Sequence, residues 1–362
     1  MPDLSVLLVI ATTTGGTGRH VRVLAEQLAA DGARVTVCGP PETQVQFDFA
    51  AAGAAFAPIW SGRGVVDAAT VRTVRRQAAG HDIVHAHSLR AGVLAGIATP
   101  GRTPLVVTWH NAVLVDGPRR LAYGLMERFV SRRATGTLCV SPDLVDRVTR
   151  LGGRDVRLAP VSAPPMPPAA KPRGQVRDEL GAGDRPLVLT VGRLHPQKGY
   201  RYLIEAAAQL ANRKPQPLFV VAGDGPLRGE LSAQIAQLDA PVRLLGDRTD
   251  VPDLLGATDV MVLPSLWEGS PLAVSECLRA GVPFVGTSAG GVPAMVGDAG
   301  LLVPPRDPDA LARAVAQVLD DPALAGDLAE RALARAAALP TDESVVAEVA
   351  ATYERLLHGA ST

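Results

Sequence analysis

The chain has 362 residues, of which 47% are hydrophobic and 20% are charged, a composition that fits a globular protein and excludes disorder. This length exceeds one ordinary hydrophobic core and predicts two domains. The formal net charge is zero, although residues 1–165 carry 18 basic and 12 acidic side chains and the remainder carries 18 and 24. The resulting split of +6 and −6 is too modest to indicate nucleic-acid binding.

Cysteine usage and the N-terminal apolar run both favour the cytoplasm. Cys38, Cys139 and Cys277 are isolated and odd in number, so they support neither a disulfide framework nor a zinc site. The run LSVLLVIA is too short to span a membrane and leads into a glycine-rich turn, so we interpret it as a buried strand. No stretch of eighteen apolar residues occurs elsewhere, and we expect a cytoplasmic protein.

Short apolar runs alternate with longer amphipathic ones along the first half of the chain. The amphipathic stretches at 19–32 and 119–134 predict helices. Apolar runs separated by helices are typical of a parallel sheet that is covered on both faces. The predicted strands are residues 5–10, 34–38, 82–87, 104–110, 136–141 and 156–161.

A proline-rich stretch at 159–174 predicts a stiff linker, after which the alternation starts again. The fold class is therefore predicted as α/β, with two doubly wound Rossmann-like domains that face each other across a cleft. We assign residues 1–165 to an N-terminal domain, 166–342 to a C-terminal domain, and 343–362 to a helix that returns to the N-terminal domain. The second series of predicted strands is residues 186–192, 217–223, 242–246, 259–265 and 283–288.

The turn after the first predicted strand, ATTTGGTGRHV, brings Gly15 and Gly16 to the start of a helix. Glycines allow close approach of the backbone, and a helix N-terminus offers N–H groups and a positive dipole to a phosphate. The turn also resembles a nicotinamide-binding fingerprint, but the second strand ends in Cys38-Gly39, where that site needs an acid for the ribose. A phosphate contact and a plain tight turn remain the two interpretations.

A loop in the second half, VGRLHPQKGY, places two cations just before a helix. Arg193 is a bidentate phosphate donor and Lys198 a compact charge, so both suit a diphosphate. The alternative is a solvated loop. The chain has only three lysines against 33 arginines, which favours a specific use for the lysine in this turn.

Histidines and one pair of acids are the remaining candidates for chemistry. His110 ends a predicted strand, where it is either structural or catalytic. His85 and His87 point to one face, and we favour core packing or lining of the acceptor side over a metal because no third ligand lies nearby in sequence. The DPD sequence at 307–309 has acid-x-acid spacing, but its first acid fits a helix N-cap and its proline the first helical position. We predict no metal site.

The segment PSLWEGSPLAVSECLRAGVP, residues 264–283, sets Glu268 in the turn before a helix and Glu276 two turns into that helix. On a helical wheel Ser275, Glu276 and Arg279 share the polar sector, so Glu276 could simply pair with Arg279 on a solvated face. The helix boundary signals are Ser270 as N-cap, Pro271 at the first helical position and Gly281 at C′.

Taken in order, these motifs resemble those of the retaining glycosyltransferases of family 4, which have the two-domain GT-B fold. Glu268 and Glu276 match the glutamate-x7-glutamate signature of that family. Each motif is loose alone, whereas their order and spacing are specific. The matching segments, strongest from 186 to 306, are GGTGRHV, DIVHAHS, VGRLHPQKG, VAGDGP, LPSLWEGSPLAVSECLRAGVPFVGTSAGG and GLLVPPRD.

The resemblance implies transfer of a sugar, with retention, from a nucleoside diphosphate sugar to an unidentified acceptor, with UDP favoured over GDP. Glu268 would accept hydrogen bonds from the sugar, and Glu276 from the ribose diol. Arg193 and Lys198 would stabilise the departing diphosphate, so neither a cofactor nor a metal is expected. His110 would lie beside the sugar, and we name it catalytic together with Arg193, Lys198 and Glu268. The other implied donor-binding residues are Gly15, Gly16, Gly269, Ser270, Pro271, Leu272, Gly290 and Gly291.

Two departures from the family pattern and three alternatives accompany this interpretation. Ala294 stands where the family usually has a glutamate, which weakens the case for the full sugar-site geometry, and APVSAPP replaces an asparagine-glycine turn.

The alternatives are a catalytically weak relative that binds nucleotide sugars, a nucleotide-sugar epimerase and, least favoured, a dehydrogenase. The acceptor class stays open among small molecules, lipids and glycans. The arginine-rich helix at 119–133 adds peripheral contact with the inner face of a membrane as an option.

Overall fold

A computed structural model describes residues 4–13, 15–59, 67–114, 117, 119–162 and 165–359 of the chain. The chain divides into two compact units. We call them the N-terminal unit, which comprises Met1–Ser162 and Pro340–Thr362, and the C-terminal unit, Ala163–Leu339. The sequence predicts the corresponding boundaries at 165/166 and 342/343, three residues further along the chain in both cases.

The N-terminal unit is built on a seven-stranded parallel sheet with the order β3-β2-β1-β4-β5-β6-β7. Its inner strands are continuous apolar runs that are buried along their length, as a sheet covered on both faces requires. The strands are β1 Ser5–Ile10, β2 Arg34–Gly39, β3 Ala55–Pro58, β4 Ile83–His87, β5 Leu105–Trp109, β6 Gly136–Cys139 and β7 Val156–Leu158. The helices are α1 Gly16–Ala30, α2 Pro41–Phe47, α3 Ala68–Ala78, α4 Ser88–Ala98, α5 Arg119–Arg133, α6 Pro142–Arg150 and, at the end of the chain, α15 Asp342–Gly359.

The last helix, α15, belongs to the core of the N-terminal unit although it lies about 180 residues away in sequence. Its Val346, Val349 and Tyr353 are buried in one cluster with β1 and α1. The hydroxyl group of Tyr353 shares a hydrogen bond of 2.7 Å with His85 Nδ1 on β4. The hydrophobic face of the helix is therefore buried against apolar side chains of the N-terminal unit.

The C-terminal unit repeats the plan with a six-stranded parallel sheet in the order β10-β9-β8-β11-β12-β13. Apolar clusters cover both faces of the sheet. Its strands are β8 Leu187–Val191, β9 Leu218–Ala222, β10 Val242–Gly246, β11 Val260–Leu263, β12 Phe284–Thr287 and β13 Gly300–Val303. Its helices are α7 Arg173–Glu179, α8 Tyr200–Gln209, α9 Arg228–Gln237, α10 Val251–Ala257, α11 Leu272–Arg279, α12 Val292–Val296, α13 Pro308–Asp320 and α14 Pro322–Ala337.

The predicted strands all form, each with ends no more than three residues from those expected, but two observed strands are missing from the prediction. The strands β3 and β13 have four residues each and occupy sheet edges, where a short apolar run is hard to distinguish from a loop. The linker region contains no regular element among its described residues from 159 to 172, and α7 begins at Arg173. No helix within the described ranges is both long and apolar enough to cross a bilayer.

Candidate functional site

In the C-terminal unit the candidate site lies where strand order changes direction. Strands β9 and β10 follow β8 on one side, whereas β11, β12 and β13 extend the sheet on the other. In doubly wound sheets, ligands bind beyond the carboxyl ends of the two strands at this point. The sequence cannot show that β8 and β11 are neighbours, and it is this pairing that brings the loop containing Lys198 to the loop containing Glu268.

A 3-10 turn, Pro196–Lys198, delivers the lysine to the site. Gln197 anchors the turn, since its carbonyl accepts from the Leu266 N–H at 2.7 Å and its side-chain amide donates to the Trp267 carbonyl at 2.8 Å. Gly199 follows with a φ of 66°, and a side chain there would collide with the carbonyl of Pro264. Only glycine fits this left-handed position against the neighbouring loop.

Lys198 and Glu268 form an ion pair at the centre of this site. Lys198 Nζ donates to Glu268 Oε1 at 2.7 Å, and the hydroxyl group of Ser265 donates to the same oxygen at 2.6 Å. The Glu268 side chain is 8% exposed and that of Lys198 is 21% exposed. Burial of this kind makes each charge depend on the other, because either one alone would be poorly solvated. Charge from Glu268 also adds to burial in raising the pKa of Tyr200.

The glycine turn after β12 closes against the backbone of Glu268. The N–H of Gly291 donates to the Glu268 carbonyl at 2.8 Å. Gly290 has a φ of 60°, and a Cβ atom there would collide with the same carbonyl oxygen. Gly290 and Gly291 therefore hold the Glu268 turn by backbone packing, and Thr287 adds a hydrogen bond from its hydroxyl group to the carbonyl of Ser265.

Helix α11 begins one residue later than the sequence predicts. Pro271, expected at the first helical position, is the N-cap residue with φ −69° and ψ 117°, and Leu272 is the first helical residue. The expected N-cap, Ser270, lies in the turn before it. Proline lacks an N–H group and its φ suits either position, so the motif alone fixes this boundary only to within a residue or two. Gly281 follows the helix with a φ of 63°, as the C′ prediction requires.

Of the three residues predicted to form the polar face of α11, two are partly exposed and one is buried. Ser275 is buried, whereas Glu276 and Arg279 are both partly exposed. Gly269 is buried in the turn between Glu268 and the helix. At the end of β8, Arg193 is exposed. Within the predicted donor set of this unit, Lys198 donates a hydrogen bond to the Glu268 carboxylate and the N–H of Gly291 donates to the Glu268 carbonyl. Gly290 packs against the same carbonyl.

The residue after the GGVP turn, Ala294, is exposed on α12, and Arg335 donates to its carbonyl at 2.6 Å. The DPD sequence at 307–309 forms a helix cap as predicted. The side chain of Asp307 accepts from the Ala310 N–H, Pro308 opens α13, and Asp309 accepts from Gln209. These contacts confirm the structural interpretation of that pair of acids.

The N-terminal unit has its own change of direction, between β1 and β4, and a cavity of about 350 Å³ lies there. Gly15 is the N-cap of α1 and Gly16 its first residue; apart from their chain neighbours and the helix backbone, no described residue has a heavy atom within 4 Å of the place where a side chain would start. The residues around the cavity include Thr12, Thr13 and Thr17 from the first turn, His87 and Ser88 after β4, and Asn111 and Tyr123.

Four histidines meet beside this cavity, all of them buried. His110 Nε2 lies 3.1 Å from His87 Nδ1, and the His20 ring lies with its centroid 5.5 Å from that of His87 and 5.2 Å from that of His110. His85 packs on His87 at 4.2 Å, on the same face as predicted, and both of its nitrogens are satisfied, by Tyr353 and Thr108. The rings of His20, His87 and His110 thus surround one point.

Burial keeps these imidazoles neutral. It lowers the pKa of His20 to about 4, against a smaller opposing effect from the Asp342 carboxylate, and that of His85 to about 3. Burial and the neighbouring histidines hold the pKa values of His87 and His110 well below the ordinary range. A neutral imidazole has one nitrogen with a free lone pair, which can accept a proton, a hydrogen bond or a metal ion.

The sequence prediction missed Ser265, which orients Glu268, and it missed the meeting of His20 with His87 and His110. Ser265 follows directly after LP at the end of a predicted strand, a position that signals a ligand-facing side chain. His20 lies on α1, one helical turn after the glycines, and no spacing in the sequence relates it to residues 87 and 110. Only the order β1-β4-β5 brings the three together.

Two family models match the chain. Residues 185–321 match the model described as glycosyl transferases group 1, and residues 15–164 match the glycosyl transferase 4-like domain. A curated relative from Escherichia coli, the UDP-Gal:alpha-D-GlcNAc-diphosphoundecaprenol alpha-1,3-galactosyltransferase, is 33% identical over 263 residues, which are 67% of this chain and 68% of that protein. The D-inositol 3-phosphate glycosyltransferase of Salinispora arenicola (strain CNS-205) is 32% identical over 314 residues, 77% of this chain and 70% of its own length.

Solved structures share the fold at lower identity. The crystal structure of Anabaena Alr3699/HepE in complex with UDP has a TM-score of 0.81 and 22% identity, with 97% of this chain and 100% of that chain covered. The same protein in complex with UDP and glucose gives a TM-score of 0.80 with 22% identity, covering 97% of this chain and 99% of that one. At this identity the likeness concerns the fold of the chain.

Proposed function

Because the chain belongs to glycosyltransferase family 4, with the GT-B fold, we propose that it transfers a sugar from a UDP-sugar to an acceptor with retention at the anomeric carbon. The observation that supports this proposal best is the Lys198–Glu268 pair at the change of strand direction. It sets a cation and a carboxylate side by side at the place where an α/β sheet binds ligands. A sugar diphosphate offers the matching groups, an anion next to several hydroxyl groups.

In the proposed complex the diphosphate is held by Arg193 and Lys198 and the sugar by Glu268. Lys198 Nζ and the hydroxyl group of Ser265 both donate to Oε1 of Glu268, and Oε2 is the atom proposed to accept from the sugar hydroxyl groups. Ser265 and Lys198 hold the carboxyl group in a fixed orientation for this role. Glu276 would accept hydrogen bonds from the two ribose hydroxyl groups, which are present in any ribonucleotide.

The proposed chemistry is breakage of the bond between the anomeric carbon and the diphosphate. Negative charge grows on the leaving oxygen as the bond lengthens, so a cation that is already in place stabilises the transition state more than the bound donor. Anchoring of the lysine turn by Gln197 and Gly199 supports this role, since it limits the motion of the cation. We assign no protein nucleophile, and we propose His110 as a neutral group beside the sugar.

Uridine is the proposed nucleotide. The E. coli relative is named for a UDP-Gal donor, and the Anabaena protein was crystallised with UDP. We further propose that transfer uses no divalent cation at the diphosphate, because two protein cations are available for that charge and the acids at 307–309 are engaged in a helix cap and a surface contact.

Contact with an anionic lipid surface is proposed for α5. Leu121, Leu125 and Phe129 recur every four residues and are 73%, 61% and 39% exposed. Arg120 and Arg128 are exposed on the same helix, so apolar and basic groups are presented together, as in helices that lie in the headgroup region of a bilayer. The E. coli relative acts on a diphosphoundecaprenol by its name.

Co-sedimentation with lipid vesicles tests this contact. The L121D/L125D variant should sediment less with anionic vesicles than the unaltered protein does, and neither protein should bind neutral vesicles. Equal sedimentation of the variant and the unaltered protein with anionic vesicles would contradict the lipid contact.

A thermal-shift panel tests the nucleotide assignment without knowledge of the acceptor. Nucleoside diphosphates and their sugars based on uridine, guanosine and adenosine are compared at equal concentration. We expect UDP and UDP-sugars to raise the melting temperature most, because a ligand that binds only the folded state stabilises it in proportion to its affinity. A larger shift with GDP would replace uridine by guanosine, and no shift with any nucleoside diphosphate would overturn the proposed donor class.

A further inference from the structure

The three histidines beside the cavity of the N-terminal unit have more ring nitrogens than the protein satisfies. His20 Nδ1, His20 Nε2 and His87 Nε2 are buried and have no hydrogen-bond partner among the residues that the structure describes. A buried polar atom left unpaired destabilises the folded protein, because it has lost its hydrogen bonds to water. His20 has neither of its ring nitrogens paired among the described residues, which indicates that a ligand can bind at this point.

The spacing of the three rings fits one metal ion. Nitrogens from His20, His87 and His110 can be chosen so that all lie within 4.8 Å of one another. The Nδ1 atom of His87 and the Nε2 atom of His110 are 3.1 Å apart, and two ligands of a tetrahedral zinc ion with bonds of about 2.0–2.1 Å lie about 3.3 Å apart. The three ring centroids are separated by 5.2, 5.4 and 5.5 Å, and imidazoles on such an ion would be about 5.2 Å apart.

The surroundings also fit a cation. A neutral imidazole has a lone pair on one ring nitrogen, and this is the form that ligates a metal. The charge of the Asp342 carboxylate acts on His20 in the sense that favours a cation, an effect smaller than that of burial. Of the three histidines, His87 borders the cavity together with Ser88 and Asn111, so a fourth ligand such as water would approach from that side.

We propose that His20, His87 and His110 form a binding site for one divalent transition-metal ion, of which Zn²⁺ is the best match. Three imidazoles with an open fourth position suit borderline metals such as zinc and cobalt, whereas magnesium and manganese prefer oxygen ligands. His85 supports the site from behind by packing on His87, and it is fixed by Tyr353 and Thr108. Because His110 belongs to this set, occupancy would withdraw it from any role beside a sugar, and the proposal of metal-free transfer applies to the unoccupied protein.

Metal uptake by the full chain, prepared without a histidine tag and freed of metal with EDTA, tests this proposal. Equilibrium dialysis against micromolar Zn²⁺ should give one ion per chain, and Co²⁺ should give the intense visible absorption of tetrahedral coordination. H20Q and H87Q should each weaken binding by about 100-fold or more, since loss of even a supporting residue costs 10–100-fold. H195Q is the matched control, because His195 is exposed in the C-terminal unit, and it should bind as the parent does.

Several results would overturn the site. They are uptake far below one ion per chain, an octahedral cobalt spectrum, or unchanged uptake in H20Q and H87Q. If either variant fails to fold, ¹⁵N imidazole shifts of the unaltered protein decide the matter. Three histidine resonances should move on addition of Zn²⁺, and movement of exposed histidines only would refute the proposal.

Discussion

At the scale of single residues, Lys198 and Glu276 are expected to fail in different ways. Lys198→Ala removes a cation aimed at charge that grows as the diphosphate leaves, so kcat should fall more than donor affinity, by about 10²-fold or more. Glu276→Ala would remove the hydrogen bonds proposed to the ribose, which are equal before and during reaction, so KM for the donor should rise while kcat changes less. Steady-state kinetics with varied donor separates the two patterns.

The control for Glu276 is Arg279→Ala on the same helix. If Glu276 merely pairs with Arg279 on a solvated face, both substitutions cost only about 0.2–0.5 kcal/mol of helix stability and leave donor affinity unchanged. Unchanged donor affinity in both variants would contradict the proposal that Glu276 binds the ribose. The ion pair of Lys198 adds a check, because Lys198→Ala also leaves a buried Glu268 without its cation. Melting temperature must therefore be measured with the rates.

The glycine at position 290 gives a second prediction at this scale. Gly290→Ala forces a side chain into a left-handed position against the Glu268 carbonyl, which should cost about 1–3 kcal/mol and displace the carboxylate turn. Gly229→Ala in α9 is the control, since its added methyl group would meet no described residue within 4 Å beyond its own helix backbone and chain neighbours, and it should be neutral or stabilising by up to about 1 kcal/mol. Urea denaturation compares them, and equal stability of the two variants would contradict the packing described for Gly290.

At the scale of elements, the sequence predicts strands better than it predicts their neighbours. Continuous apolar runs such as LVLTV and SVLLVI identify buried strands, because only a sheet covered on both faces makes such runs. The edge strands β3 and β13 are four residues each and carry too little pattern. The pairing of β8 with β11 and of β1 with β4 depends on the whole fold. For that reason the individual residues Lys198 and Glu268 could be proposed, but their ion pair and the histidine cluster could not.

The histidines packed between β4, β5, α1 and α15 predict how the N-terminal unit responds to acid. The pKa values of His20 and His85 are lowered in the folded state to about 4 and about 3, and an unfolded histidine titrates near 6.5. Between those values the unfolded chain binds more protons, so stability should be full above about pH 7 and fall as the pH decreases through this window.

Denaturation of the metal-free protein between pH 4 and pH 8, followed by fluorescence of the buried Trp109, measures this effect. Each such histidine steepens the fall by about 1.4 kcal/mol per pH unit. His85→Gln should make the fall of the unfolding free energy with pH less steep by the contribution of one histidine. A stability that stays level from pH 8 to pH 5 would show that these histidines titrate in the folded protein as they do in the unfolded chain.

At the scale of the whole molecule, the metal requirement of turnover can be separated from metal binding. With two protein cations proposed at the diphosphate, turnover in excess EDTA should equal or exceed that of untreated protein, since any ion on His110 is removed at the same time. The control is addition of Mn²⁺ or Mg²⁺ after chelation, which should change little. Loss of turnover in EDTA that Mn²⁺ restores would contradict transfer without a metal at the donor.

The central claim, retaining transfer from a UDP-sugar, is tested most directly by the configuration of the first product formed. The protein is incubated with an α-linked UDP-sugar and water as acceptor, and ¹H NMR records the anomeric signals before the released sugar re-equilibrates. We predict stoichiometric release of UDP and an α-configured sugar, both lost in Lys198→Ala. Release of a β-configured sugar would contradict retention, and a folded protein that releases no nucleoside diphosphate from any UDP- or GDP-sugar would contradict the account as a whole.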